Sequence, residues 1–435
     1  MKYETYNNYN ESNIDWIGLM PAEWNLIRLK FLADIVTGST PSKNDDTYYK
    51  EGTFPWVKPD DLKGLTPIMN TNVLINEEGK RVSRIVPKDS ILVCCIGSLG
   101  KIGISGTELA TNQQINSLIP NNLLNNNFCK YMVIASSSEY DKFSNSNVVA
   151  IINKQQQGEL NYPIPPLTEQ KQIATYLDKK TAKIDETISK NKQLIDLLEE
   201  KRIALINQVV TKGLNPEAPM KDSGIEWIGE IPENWEIKNL KYVANLQTGT
   251  TPKKNIGISL EEGINWFTPG DFDNTYKLLD SNRYIKKEAI ISNNISIYPP
   301  NSILMVCIGA TIGKLGVTQD ISYSNQQITA ILPKQNKIHF KYLLYYLISK
   351  TEYIKETANF TTLPILNNQH LSAFEILSPP YAEQKQIANY IDNEVNNINQ
   401  ILSKIDKNIS LLEEYKTSLI HHVVTGKIDV RGEEI

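Results

Sequence analysis

Residues 14–43, IDWIGLMPAEWNLIRLKFLADIVTGSTPSK, return as residues 225–254, IEWIGEIPENWEIKNLKYVANLQTGTTPKK, with fourteen of thirty positions identical. The echo continues in order. PWVKPDDL around Trp56 answers NWFTPGDF around Trp266, and SILVCCIGSLGKIG from Ser90 answers SILMVCIGATIGKLG from Ser302. TNQQINSLIP from Thr111 answers SNQQITAILP from Ser324, and PPLTEQKQIATYLD from Pro165 answers PPYAEQKQIANYID from Pro379. The offset drifts only from 210 to 214 residues, so the chain is one unit of roughly 210 residues written twice.

Each unit has two textures. The first, about 14–164 and 225–378, mixes short β-branched and aromatic runs with turn clusters such as TGSTPSKNDD and YPPNS, which predicts a compact mixed α and β domain. The second, about 168–212 and 382–426, has almost no Gly or Pro and keeps a helical period. A heptad register places Leu177, Ile184, Asn191, Leu198 and Leu205 at one core position and Ala174, Thr181, Ile188, Ile195, Arg202 and Val209 at the other. The second copy gives Ile391, Ile398, Ile405, Leu412 and Leu419, with Ala388, Val395, Leu402, Ile409, Lys416 and Val423. Sustained 3-4 spacing predicts a coiled coil, each helix about 65 Å long at 1.5 Å per residue. A tandem repeat that closes around a pseudo-twofold axis makes the two helices antiparallel, with one domain at each end. The expected fold is therefore α+β: two mixed domains on a helical bar, a dumbbell. Its boundaries are 1–164 (first domain with an N-terminal arm), 165–213 (first helix), 214–378 (second domain) and 379–435 (second helix and tail).

The chain of 435 residues is 40% hydrophobic and 22% charged, enough apolar mass for real cores, which excludes wholesale disorder. Its 45 basic and 49 acidic residues give a net charge of −4, no global sign of an anionic partner. Residues 14–163 carry 14 basic and 15 acidic side chains and residues 225–377 carry 14 of each, so neither domain has a basic excess. Four cysteines without a CxxC pair, four scattered histidines and no membrane-length apolar run point to a cytoplasmic protein without a disulfide framework or zinc site.

Several motifs invite catalysis. SPPY (Ser378 to Tyr381) resembles the tetrapeptide with which amino-group DNA methyltransferases hold the target nitrogen, but the first copy reads IPPL and no glycine-rich cofactor loop precedes either. A Pro pair opening a long helix is the simpler reading. GSLGKIG (from Gly97) and GATIGKLG (from Gly309) lack the hydroxyl after lysine that a nucleotide-binding loop needs for Mg²⁺. They read as turns between strands, with Lys101 and Lys314 free to hold a DNA phosphate. Asp60 with Glu78 and Lys80 loosely imitates a nuclease pattern that the second copy does not repeat. His421-His422 reads as a cation favourable near a helix C-terminus. TGSTPSK and TGTTPKK suit either phosphate contacts or tight turns. NQQI, nearly identical in both copies where base-reading loops should differ, reads as structural rather than as an adenine reader.

The ordered set W-I-G-x-[IM]-P-x-x-W, T-G-x-T-P, N-Q-Q-I and P-P-x-x-E-Q-K-Q-I-A-x-Y-[IL]-D opening a long helix, all present twice, resembles the specificity subunits of type I restriction-modification systems. The resemblance spans essentially the whole chain. It implies two target recognition domains, each reading one half of a bipartite double-stranded DNA target, on helices that act as spacer. It implies docking of two modification subunits, which carry S-adenosylmethionine and the catalytic residues, and an assembly that two motor-nuclease restriction subunits can join. This chain itself is then no enzyme and holds no cofactor or metal. The alternatives are a stand-alone DNA methyltransferase or nuclease, or a coiled-coil adaptor for proteins.

Base-reading loops are expected where the copies diverge most, at 44–74 against 255–285 and 121–153 against 334–367. Thr40, Lys43, Lys58, Lys63, Lys101, Thr251, Lys253, Lys254, Lys277 and Lys314 are the expected DNA contacts. Glu169, Gln170, Gln172, Glu383, Gln384 and Gln386 of the two EQKQ starts, with the polar core positions Arg202 and Lys416, are expected to face a partner.

Overall fold

A computed structural model describes residues 4–42, 46–143, 150–251, 258–260, 263–273, 275–286, 297–356, 359–360 and 364–433. The chain forms two compact units: residues 1–192 together with 406–435, and residues 193–405.

In the first unit, the apolar run after Ser90 becomes the central strand Ile91–Cys94, buried along its whole length. A strand covered on both faces has no polar side to show, which explains why the run does not alternate. It lies in a five-stranded sheet ordered Ala33–Thr37, Ile115–Pro120, Ile91–Cys94, Ile102–Ser105 and Pro67–Ile68. All neighbours are antiparallel except the last pair. A four-stranded sheet, Leu74–Ile75, Phe54–Val57, Leu109–Thr111 and Ile85–Val86, packs beside it. Helix Asn126–Ala135, whose first turn is capped by Asn125 Oδ1 accepting from Phe128 N at 3.0 Å, closes the core with Phe128, Tyr131 and Met132 fully buried.

The second unit repeats this plan. Its five-stranded sheet runs Ala244–Thr248, Ile328–Pro333, Ile303–Val306, Leu315–Thr318 and Lys277–Leu278, and helix Phe340–Ser349 covers it. The smaller sheet differs at its rim. Its order is Ile258–Ser259, Tyr284–Ile285, Ile264–Phe267 and Ser322–Ser324.

In both units a two-stranded ribbon feeds the Pro pair that opens a long helix: Asn25–Arg28 with Asn161–Ile164, and Glu236–Asn239 with Glu375–Ser378. The helices are Leu167–Lys212 and Tyr381–Val424, close to the bounds set by the apolar period. In the first unit, Glu169 lies near Arg431 and Asp185 pairs with Lys416. The first helix ascends as the second descends, so they are antiparallel. In the second unit, a Cβ added at Gly213 would lie 3.3 Å from Glu383, and Arg202 meets Asn399, again antiparallel. Heptad residues Leu177, Ile184, Ile188, Ile409 and Leu419 are buried in the first unit, as are Ile391, Ile398 and Ile405 in the second. Cross-helix burial is what the 3-4 spacing demands.

The W-I-G-x-x-P-x-x-W motif seats the end of a long helix from the other copy. In the first unit a Cβ at Gly426 would fall 2.3 Å from Pro21 and 3.3 Å from Trp24. His421 Nε2 donates to Trp16 O at 2.8 Å. In the second unit Gly213 stands 3.3 Å from Trp235 and 3.9 Å from Pro232 by the same measure. Both glycines have positive φ, 72° and 78°, the left-handed stop that ends a helix at little steric cost. At His422 burial, with His421 and Lys427 beside it, holds the imidazole below its ordinary value.

Candidate nucleic-acid interface

The TGxTP turn and the NQQI loop, far apart in sequence, form one surface feature in each unit. Gly38 N donates to Ile115 O at 2.9 Å and Ser39 N to Thr111 O at 2.8 Å. A Cβ at Gly38 would lie 2.1 Å from Asn112 O, and one at Gly249 would lie 2.2 Å from Asn325 O. Glycine is required because two backbones touch there. Thr40 then donates its hydroxyl to Gln113 Oε1, and Thr251 does the same to Gln326. Asn112 and Asn325, the first residues of the two NQQI loops, are buried, in keeping with a structural role. Arg84 flanks the first turn, its backbone N–H on Ser39 Oγ at 3.1 Å and its guanidinium on Thr37 O at 2.8 Å.

The expected lysines do not form one cluster. Lys43, Lys253 and Lys254 lie outside the described residues. Lys58 follows the strand that receives Asn112 N on Val57 O at 3.0 Å, and its ammonium sits 5.3 Å from the Trp56 ring centre. Lys101 donates to Pro59 O at 2.8 Å and Lys314 to Phe272 O at 3.3 Å. The turn before Lys101 uses the N–H groups of Gly97, Leu99, Gly100 and Lys101 within the chain, so any anion there would meet the ammonium rather than a backbone cradle. Lys63 lines a different place, an open groove of about 850 Å³ with Lys130, Asp178, Asp185 and Lys416. Lys277 lines the matching groove of about 390 Å³ with Lys341, Asp392 and Asn399.

The partner-facing residues divide. Glu169, Gln170 and Gln384 are buried. Glu169 accepts from Tyr6 Oη at 2.5 Å, and burial followed by that hydrogen bond and charge pushes the phenol far above its ordinary range. Glu383 accepts from Trp235 Nε1 at 3.1 Å. Gln170 and Gln384 donate to Pro165 O and Pro379 O at 3.0 and 2.8 Å and accept from Asn125 N and His339 N. These four side chains therefore bind the helix start to its own domain. Gln172 is half-buried and Gln386 exposed. Lys416 and Arg202 meet Asp185 and Asn399 across the helix pair.

Two aspartates that anchor the long helices escaped the sequence reading. Asp178 Oδ1 takes Lys130 Nζ at 2.6 Å and Tyr131 Oη at 2.7 Å, and Asp392 takes Lys341 Nζ and, at 2.5 Å, Tyr345 Oη. They rivet each domain's helix to the long helix. Their signal was the terminal Asp of A-x-Y-[IL]-D, present twice.

The catalytic look-alikes resolve into structure. Ser378 is buried, and Pro380 O accepts from Gln384 N in the first helical turn. Glu78 pairs with Arg81 at 2.7 Å and Lys80 lies over Phe54, so neither is turned to Asp60. Among the described residues no group of three His, Cys, Asp or Glu side chains is placed to hold a metal.

Residues 21–199 and 232–411 each match the type I restriction modification DNA specificity domain. The specificity subunit of the type I restriction enzyme MjaVIII of Methanocaldococcus jannaschii is 26% identical over 462 residues, covering 98% of each chain. The EcoBI specificity subunit of Escherichia coli is 24% identical, covering 91% of this chain and 86% of its own. Among solved structures, one reported for complex assembly and conformational transition of the type I R-M system superposes with a TM-score of 0.73 at 16% identity, covering 95% of this chain and 99% of that one. The HsdS subunit of Thermoanaerobacter tengcongensis gives 0.54 at 15% identity, covering 94% and 98%. At such identities the structural likeness speaks for the fold, while the two domain matches speak for descent: the chain belongs to the type I restriction-modification DNA specificity family.

Proposed function

We propose that this chain is the DNA-reading subunit of a type I restriction-modification complex, each unit recognising one half of a bipartite, adenine-containing duplex target. The observation that carries the reading is one fold built twice, with the same TGxTP and NQQI junction in each unit and its sequence differences gathered in the segments beside it. Two readers on one chain specify two half-sites, and the helices between them set the spacing. The partition is the one expected above, recognition domains at 1–164 and 214–378 with spacer helices at 165–213 and 379–435.

The chain is the specificity component and not the catalyst. S-adenosylmethionine and methyl transfer belong to two modification subunits that dock on the helices, and two restriction subunits join that core. Exposed apolar side chains on the helices' outer faces support docking: Leu194, Leu197 and Ile203 in the second unit, Leu411 and Tyr415 in the first. Among the described residues no helix is long and apolar enough to cross a membrane, and the four cysteines are free and buried, which supports a cytoplasmic site of action.

The test is single-molecule sequencing of DNA methylated by the chain reconstituted with its modification subunits. A bipartite methylated sequence is the expected result. Methyl transfer by the chain alone, or methylation without sequence dependence, would overturn the reading.

A further inference from the structure

The NQQ tripeptide does two jobs, and only one of them is structural. Asn112 Nδ2 donates to Gln114 Oε1 at 3.0 Å while Gln114 N donates to Asn112 Oδ1 at 3.1 Å. Asn325 and Gln327 close the same ring at 2.9 and 3.1 Å. The outer two residues therefore complete the loop between themselves. The middle residue takes no part in that ring. Gln113 and Gln326 are exposed, and each has its amide oxygen occupied by the hydroxyl of Thr40 or Thr251. With its oxygen taken by the hydroxyl, the primary amide keeps both N–H bonds to donate. Among the described residues neither Nε2 has a protein acceptor.

An exposed glutamine pinned in one orientation by a threonine 73 or 75 residues away is a costly arrangement for a solvated side chain, since it gives up rotamer freedom. That it occurs identically in both units, beside segments that diverge, indicates a ligand common to both half-sites. In duplex DNA the feature shared by all sequences is the sugar-phosphate backbone, and an amide donor suits its anionic oxygens. In the first unit Arg84, anchored on Ser39 and Thr37, brings a cation to the same rim.

Resting on the DNA-reading function above, we propose that Gln113 and Gln326 are backbone clamps: each amide donates to a non-bridging phosphate oxygen of its half-site, fixing the domain's register on the duplex while the divergent segments read bases. Thr40 and Thr251 are positioning residues that hold the amide oxygen and so aim its N–H groups.

The test uses the full chain assembled with its modification subunits. Q113A and Q326A should each weaken binding by about tenfold, the scale of one hydrogen bond to a charged group. Binding to target and to non-target duplex should fall by the same factor, with the methylated sequence unchanged. Q113E, which points a carboxylate at the phosphate, should lose more than Q113A, and T40V should lose part of the Q113A effect. A single methylphosphonate at the clamped phosphate should weaken the unmutated complex and leave Q113A indifferent. Unchanged affinity in Q113A and Q326A, or a methylated sequence relaxed at one half-site, would overturn the clamp while leaving the reading function standing. Absence of sequence dependence in the unmutated complex would remove the function and the clamp with it.

Discussion

Lys416 Nζ stands 2.7 Å from both carboxylate oxygens of Asp185, one helix to the other, and 214 positions away in each case Arg202 stands 3.2 Å from Asn399 Oδ1. Both pairs join residues from opposite copies at equivalent heptad positions, so they mark the register. With side chains 24% and 52% exposed, the Lys416–Asp185 pair adds little energy, under about 1 kcal/mol on truncation. Thermal melts should show K416A close to the parent, D185K lower because two ammonium groups then face each other, and D185K/K416D restored. A double variant no better than the sum of the singles would deny the pair any part in register.

Backbone contact at the TGxTP turn gives a sharper prediction. G38A and G249A each drive a methyl into a carbonyl, and overpacking of this kind costs about 1–3 kcal/mol or more. G270A serves as control, since nothing lies within 4 Å of its added Cβ. Calorimetry should show lowered melting for the first two and none for the third. Equal melting in all three would contradict the described approach of the two loops.

Alkaline pH should weaken the fold. Burial raises the Cys129 thiol from 9.0 to about 12 and the Cys307 thiol to about 11. Below pH 9 these groups are protonated folded or unfolded and cost nothing. Above it the unfolded thiols ionise while the folded ones do not, so stability falls by roughly 1.4 kcal/mol per pH unit per thiol until the folded value is reached. Urea midpoints should hold steady from pH 7 to 8.5 and drop by pH 10, less so in C129S/C307S. A midpoint that rises with pH would reverse the sign.

Leu197 and Leu411 occupy equivalent positions and are 61% and 52% exposed. L197D and L411D should leave the chain's own melting within about 0.5 kcal/mol of the parent. Co-purification with the modification subunits should fall, and retention by both variants would move the docking face elsewhere. Charge reversal at Glu169 is unsuited to this purpose, because it strands the Tyr6 hydroxyl inside the fold.

Without a basic excess in either recognition domain, the chain alone lacks the phosphate neutralisation that drives non-specific DNA affinity. Gel-shift titration should find weak binding by the isolated chain at physiological salt and a large gain on adding modification subunits. Nanomolar, sequence-specific binding by the chain alone would contradict this.

The two-copy plan, the long helices and their buried seam were legible because periodicity and repetition are properties of the sequence itself, as Ile184 and Ile398 illustrate. The duties of the EQKQ motif were not. Glu169 meets Tyr6 across 163 positions and Glu383 meets Trp235 across 148, and no local pattern announces either contact. A charged residue at a helix start reads as solvated until its distant donor is known. The Asn112–Gln114 ring is local and consistent with the structural reading of NQQI, but the fusion of that loop with the TGxTP turn depends on Gly38 touching Asn112, a tertiary event.

Residues 193–405 complete one unit from an uninterrupted stretch, whereas the other needs residues 406–435 as well. Tyr9 bonds to Gly426 O across 417 positions, and the seat formed by Trp16 and Trp24 is filled only when His421 and Gly426 arrive. During translation, then, the domain made first is finished last. The nascent chain carries an open tryptophan-lined seat until its sister domain has been synthesised, and a chain truncated after residue 405 holds one complete unit and one awaiting its closing helix.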